Sequence, residues 1–367
     1  MYRNTWMQID LDAIADNVKT IHQICGKKFI AVLKANAYGS GDRMIAKTVI
    51  DAGADMIAVS SLDEAIVLRN EMYEGELLIL GNTEAADCRM MIEKNISAAA
   101  YSMHWVTEMT AQDCRGLKVH LKVDTGMNRI GFKDLDELVQ AKKILLDAGC
   151  ILEGIFTHFA CSDTDIDMTQ RQYARFAAAV KACSYPFEWI HCDNSEATLY
   201  FKDPVSNACR VGISLYGIAG CRKDLKHALS LYTRLFMVKK VKAGETIGYG
   251  ATYSAEHDEI IGTLPIGYAD GWIRANQGRQ VYADGMYATV VGRVCMDQCM
   301  IQMPQYKPEG TIVELFGPHI SLCEMADQLH TIPYEIICLI NSRVTRVYLS
   351  NGKEVLKENA RLDISEQ

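Results

Sequence analysis

Six residues in the first two thirds of the chain, Lys34, Arg129, His158, Asn194, Ser195 and Arg210, each stand within or just after a short apolar run. A lysine in a desolvated setting can lose its proton and condense with a carbonyl, so Lys34 suits a Schiff base with an aldehyde. Ser195, with backbone N–H groups near Gly212 and Ile213, could cradle a dianionic phosphate. A phosphate-bearing aldehyde cofactor fits that set. Taken singly, each signal is weak: a lone lysine after a strand is usually solvated or ion-paired, and a lone histidine there usually structural. Their recurrence on successive runs carries the functional reading.

The runs themselves are FIAVLK (29–34), MIAVSS (56–61), LLILG (77–81), ISAAAY (96–101), KVHLKVD (118–124), CILEGIFTHF (150–159), FEWIHCD (187–193) and NACRVGISLYG (207–217). Between them lie stretches with apolar residues at helical spacing, such as 41–52 and 135–148. Eight such strands with intervening helices predict an α/β fold, a (β/α)8 barrel of the TIM type, whose chemistry gathers where strands end and loops to helices begin. Lys34 and His158 are expected at the ends of the first and sixth strands, and Arg210 on the eighth. An open doubly wound sheet would also alternate, but no G-x-G-x-x-G opens the first helix. From about Lys226 the texture turns to β-branched residues broken by glycine. This predicts a barrel over 12–225 and a mostly β C-terminal domain over 226–367. One short helix is expected in that domain near Leu322–Leu329, and 1–11 should add a strand to it.

Composition narrows the class. The 367 residues are 49% apolar and 23% charged with a net charge of −8, which gives no basic footprint for nucleic acid. Thirteen cysteines scattered through apolar stretches, with no signal peptide, read as buried thiols in a reducing, cytoplasmic setting. No apolar run approaches the roughly 20 residues that cross a bilayer. A metal is not expected: His158 with Cys161 and Cys295 with Cys299 are loose pairs, and no C-x-x-C occurs.

AVLKANAYGSG, KVDTGMNRIGF, GIFTHFACSD, NSEA, CRVGISLYG, LPIGYADG and VGRVCMDQ, in that order from about Ile9 to Tyr348, resemble the signatures of the alanine racemase family. The resemblance implies pyridoxal 5'-phosphate as cofactor, small amino acids (alanine, serine) as substrates, and a head-to-tail homodimer with shared active sites. By motif, Lys34 resembles the cofactor lysine, Tyr38 a phosphate-contacting tyrosine, and Arg129 the residue at the cofactor's phenolic oxygen. His158 and Arg210 resemble the pair behind the ring, with Arg210 at the pyridine nitrogen. Asn194, Ser195, Gly212 and Ile213 resemble the rest of the pocket. Tyr268 resembles a second catalytic base supplied by the partner subunit. Met296, flanked by Cys295 and Asp297, resembles the residue whose backbone receives the substrate carboxylate.

Racemisation needs a proton removed from one face of Cα and returned to the other, so Lys34 and Tyr268 would flank the plane. A tyrosine is a poor base at its ordinary pKa of about 10, and a hydrogen-bonded chain to His158 and Arg210 could stabilise its phenolate. A guanidinium at the pyridine nitrogen does not hold that nitrogen protonated as a carboxylate would. The ring is then a weaker electron sink, which favours return of the proton over transamination. Strand alternation places His120, Lys122 and Asp124 toward the barrel interior. The resemblance suggests that Lys122 is carbamylated opposite Arg129; an ion pair with Asp124 is the alternative.

One motif departs. Family members commonly carry a tyrosine before the arginine of INSRVTRVY, where this chain has Ser342 after Asn341. The change opens space near the substrate, and Asn341 could bind a hydroxymethyl group. The chain in this respect resembles the racemase domain of membrane-bound serine racemases of glycopeptide-resistance systems, in which a transmembrane part precedes the catalytic part. On that resemblance, serine with alanine as second substrate is expected, in a cytoplasmic domain whose boundary lies near MYRNTW. A plain alanine racemase is the alternative. A decarboxylase of the same architecture would want an acidic residue where Arg210 stands, and a single-barrel cofactor carrier would lack the β domain with GYADG.

Overall fold

The computed structural model describes residues 2–218 and 224–362. They form two compact units: one spans 14–37 and 42–226, the other 2–13, 38–41 and the chain from 227 onward. The first strand, β1 (Thr5–Asp10), belongs to the second unit.

The first unit is the barrel. Its strands are β2 (Lys28–Val32), β3 (Met56–Val59), β4 (Glu76–Ile79), β5 (Ala98–Ala100), β6 (Lys118–Lys122), β7 (Ile151–Phe156), β8 (Trp189–His191) and β9 (Ala208–Val211). They pair in the order β4-β3-β2-β9-β8-β7-β6-β5, and a parallel bridge from Leu78 to Ser97 joins the two end strands. Strands covered on both faces are largely apolar, which is why most of these segments read as near-continuous runs. The helices between them begin at side-chain caps: Ser61, Ser102, Asp134, Asp165 and Asn194 each accept the N–H three residues on. Inside the barrel, Ile30, Val32, Met56, Ala58, Leu78, Trp189 and Ala208 form an apolar cluster. Arg210 pairs in register with Ile30 and so shares its face. Together with the buried His120, Lys122 and His191 it makes the other part of the interior polar.

In the second unit β1 lies between β10 (Leu229–Arg234), antiparallel, and β19 (Thr345–Ser350), parallel. Around them β11 (Met237–Val241), β14 (Glu259–Leu264), β15 (Gln280–Ala283), β16 (Met286–Val291), β17 (Cys299–Met303), β18 (Ile312–Phe316) and β20 (Lys353–Glu358) complete a mixed sheet of ten strands among the described residues. A short hairpin, β12 (Thr246–Ile247) with β13 (Tyr253–Ser254), stands apart.

Two details differ from the sequence reading. The expected helix near Leu322 forms over Leu322–Gln328, but a second follows at Pro333–Leu339. Pro333 presets the first helical φ, and burial of Ile336 and Ile337 outweighs their propensity. The strand expected to end in Lys34 stops at Val32, because the chain turns left-handed beyond it.

Candidate active site

That turn gives Lys34 its place. Ala35, Asn36, Ala37 and Tyr38 all have φ between 51° and 58°, a left-handed conformation that L residues adopt at a cost of roughly 1–2 kcal/mol each. The barrel unit holds it: Glu64 accepts the Ala35 N–H at 2.7 Å, Asn36 Oδ1 accepts that of Asp42 at 2.9 Å, and the Tyr216 hydroxyl donates to the Ala37 carbonyl at 2.7 Å. Strain maintained by several independent contacts marks a functional segment. It leaves Lys34 exposed at the C-terminal end of β2.

The loop after β6 closes on itself, with Asp124 N–H bonded to the Phe132 carbonyl and Phe132 N–H to that of Lys122, both at 2.9 Å. Gly131, at φ 120°, permits this closure, since a Cβ there would lie 2.7 Å from the Asp124 nitrogen. Arg129 is thereby carried to the exposed rim. Below it Lys122 is buried, its Nζ donating to the Val123 carbonyl at 2.8 Å and lying 5.3 Å from the Phe156 ring centre. Asp124 Oδ1 instead accepts the N–H groups of Gly126 and Asn128, both at 3.0 Å. Burial, reinforced by the charge of Arg210, lowers Lys122 to about 7.

Arg210 makes five hydrogen bonds inside the barrel. Its guanidinium donates to the carbonyls of Thr157, His191 and Cys192 at 2.7, 2.9 and 3.2 Å, to His191 Nδ1 at 3.0 Å and to His158 Nδ1 at 3.2 Å. Burial lowers it to about 10, still charged at neutral pH. Because arginine only donates, both Nδ1 atoms accept, and each neutral imidazole carries its proton on Nε2. Burial, with the charges of Arg210, Arg129, Lys122 and Lys34 added, holds His158 well below its ordinary range. His158 therefore presents a neutral Nε2–H.

The chain continues inward. His191 Nε2 meets His120 Nδ1 at 2.9 Å, and His120 Nε2 meets Glu153 Oε2 at 3.1 Å. Glu153 sits where the β6–β7 register slips, Leu152 pairing with Val119 and Gly154 with His120. The bulge re-aims its carboxylate, which also accepts from Ser97 at 2.7 Å and faces Lys118 at 3.1 Å. Burial would raise Glu153, but these partners, His120 foremost, bring it down to about 2. Gly154 makes room for the histidine: a Cβ there would lie 2.3 Å from His120 Nδ1. This inner chain is absent from the sequence reading. Alternation showed His120 facing in, but nothing local to Glu153 or His191 showed them meeting it.

Asn194 caps the short helix Ser195–Tyr200, and Ser195 Oγ accepts the Gly212 N–H at 3.1 Å, just before the 3-10 turn Ile213–Tyr216. Two helical starts are thus tied together, and the first N–H groups of a helical segment have no partner within it. Backbone donors with Lys34, Lys122, Arg129 and Arg210 nearby make a donor set that fits an anionic phosphate-bearing group.

The remaining site residues lie in the β unit. Tyr38 is buried there, its ring edge-on to Tyr334 at 5.9 Å, and burial raises its phenol. Tyr268 opens a 3-10 turn (Tyr268–Asp270) and is 42% exposed; Met296 is 53% exposed. Asn341 is also exposed, its Oδ1 accepting the Arg343 N–H at 3.0 Å and the Ser342 hydroxyl at 3.3 Å.

Among the described residues Cys192, Asp193 and Asp203 could group around a metal. Lys27 already pairs with both carboxylates of that cluster, its ammonium 2.7 Å from Asp193 and 3.2 Å from Asp203.

Residues 9–220 match the model of the alanine racemase N-terminal domain, and 228–348 that of the alanine racemase C-terminal domain. An alanine racemase of Anoxybacillus flavithermus is 44% identical, with 98% of each chain covered. The crystal structure of the Bacillus anthracis alanine racemase with bound L-Ala-P is similar at a TM-score of 0.93 and 37% identity, covering 99% of each chain. A histidine racemase of Leuconostoc mesenteroides aligns at a TM-score of 0.89 and 30% identity, over 95% of this chain and 99% of that one.

Proposed function

The chain belongs to the alanine racemase family, whose cofactor is pyridoxal 5'-phosphate, and on that premise we propose that it interconverts L- and D-alanine by two bases, Lys34 and Tyr268 of the partner subunit. The observation that carries this reading is His158, kept neutral by burial and turned by Arg210 so that its Nε2–H is the donor. When bound, the cofactor supplies the sink for the electron pair left at Cα. Lys34 takes or gives the proton on one face. On the other, Tyr268 does so, and a donated hydrogen bond from His158 stabilises its phenolate without creating an imidazolium. Arg210 would meet the cofactor's pyridine nitrogen as a donor that lends no proton. Ser195, Gly212, Ile213, Asn194 and Tyr38 would hold the phosphate end, Arg129 the phenolic oxygen, and the Met296 backbone the substrate carboxylate.

A dimer of this chain accounts for the exposed face of the β unit. Phe236, Met237, Tyr249, Tyr268 and Met296 are all exposed there, and a groove of about 720 Å³ includes four of them. Apolar side chains exposed together on one face suit a protein–protein surface. No helix among the described residues is long and apolar enough to cross a membrane.

Serine is the second substrate in this reading. The relatives named above support alanine first, while Ser342, which stands where the family commonly has tyrosine, leaves space for a hydroxymethyl group. Chiral chromatography of separate L-alanine and L-serine incubations tests the assignment. D-alanine forming faster than D-serine is expected; the reverse order would make serine the principal substrate, and neither product would overturn the reading.

A further inference from the structure

Four segments of the β unit that are far apart in sequence meet on alternating charges beside Tyr268. Asp270, whose side chain is fully buried, closes the turn by accepting the Gly267 N–H at 2.9 Å. The same carboxylate is gripped by both terminal nitrogens of Arg3, one at 2.6 Å, and faces Arg343 Nε at 3.6 Å. Arg343 in turn pairs with Asp297 at 2.6 Å. Arg3 also donates to the carbonyls of Pro265 at 2.9 Å and Asp297 at 3.4 Å. The Asp270 carbonyl accepts the Asn341 N–H at 3.0 Å.

Backbone contacts run alongside. Tyr268 N–H bonds to the Cys295 carbonyl and Ala269 N–H to that of Met296, both at 3.0 Å. Gly267 makes that approach possible, since a Cβ there would lie 2.3 Å from the Cys295 oxygen and 2.4 Å from the Met296 oxygen. The Tyr268 turn, the Met296 turn and the Asn341–Arg343 loop are therefore fixed to one another, with Asp270 common to the ion pairs.

We propose that Asp270 is the positioning residue for the proton-transfer face of Tyr268, acting through Arg3 and Arg343. The inference rests on the reading of Tyr268 as a base. A buried ion pair by itself is weak grounds for stability, because desolvation offsets much of the attraction. What the ladder adds is geometry: a planar carboxylate gripped on both oxygens has one orientation, and Tyr268 stands two residues from it. A shift of about 1 Å in a reacting group can lower a rate roughly a hundredfold.

The experiment compares holoenzymes of wild type, Asp270→Asn, Arg3→Gln and Tyr268→Phe, using α-deuterated L- and D-alanine and, in separate samples, 3-fluorotyrosine placed at position 268. For Asp270→Asn and Arg3→Gln, kcat falls roughly tenfold to a hundredfold. The α-deuterium effect rises in the direction in which Tyr268 takes the substrate proton and falls toward one in the other, and the 19F resonance moves or broadens. A merely structural role removes active molecules and moves neither isotope effect. Isotope effects unchanged in both directions, or an unmoved 19F resonance, overturn the proposal. If Asp270→Asn does not fold, Arg3→Gln carries the same test from the more exposed end of the ladder. A Tyr268→Phe enzyme that racemises like wild type overturns the underlying reading instead, and the proposal with it.

Discussion

Arg210 donates to His191 Nδ1 at 3.0 Å, and that one contact sets the direction of every hydrogen bond below it. The guanidinium cannot accept and the ionised Glu153 carboxylate cannot donate, so His191 and His120 each carry their proton on Nε2. 15N NMR of the histidines is expected to show both as neutral Nε2–H tautomers at neutral pH. Glu153→Ala removes the terminal acceptor, abolishes that pattern at His120, and costs about 1–3 kcal/mol for a buried donor left unsatisfied.

Acid should act on the same group. Glu153 is held at about 2 in the folded state against about 4.3 in an unfolded chain. Its contribution is full above about 4.3 and is lost as pH falls toward 2, because the unfolded chain binds its proton first. Denaturant midpoints of wild type and Glu153→Gln, measured from pH 6 downward, are expected to converge over that interval.

Gly154→Ala puts a methyl group where the His120 ring lies. Overpacking of this kind costs about 1–3 kcal/mol. A lower denaturant midpoint should be joined by a lower kcat, because the displaced imidazole transmits its shift through His191 to Arg210.

Lys122, lowered to about 7, gives a slope of the same sign at higher pH. An unfolded lysine titrates near 10.4, so between these values the unfolded chain binds more protons at this site and stability rises with pH. Lys122→Met should flatten that rise in a denaturation series. The neutral amine is also the form that adds carbon dioxide, releasing a proton and leaving a carbamate. A carbamate resonance in 13C NMR after equilibration with 13C-bicarbonate, absent in Lys122→Met, is the expected signature.

Arg210→Glu replaces a donor with a carboxylate. Loss of a preorganised donor of this kind costs roughly 10²–10³ in kcat, and keto-acid formation from alanine should rise above the wild-type background. A pyruvate assay beside the racemase assay reads both.

How much of this was legible beforehand follows from locality. Apolar runs and caps sit beside the residues they govern, so the eight-stranded barrel with its β-rich companion could be read from the sequence. Lys34, Arg129, His158 and Arg210 stood out because barrel function gathers after strands. The left-handed turn at Ala35–Tyr38 did not, since nothing in KANAY departs from an ordinary helix start. Glu153 depends on a bulge between two strands, and the ladder from Arg3 to Asp297 joins residues hundreds of positions apart. Such contacts exist only once the sheet has formed. The helix Pro333–Leu339 was obscured because its β-branched residues favour strand until packing decides.

The central claim is that Lys34 and Tyr268 serve opposite faces of one carbon. The most direct test follows α-proton exchange and inversion of both alanine enantiomers in deuterium oxide with the Tyr268→Phe holoenzyme. The account predicts that one enantiomer takes up deuterium without inverting, through Lys34 alone, while the other neither exchanges nor inverts. Inversion of both enantiomers at the wild-type rate would contradict it.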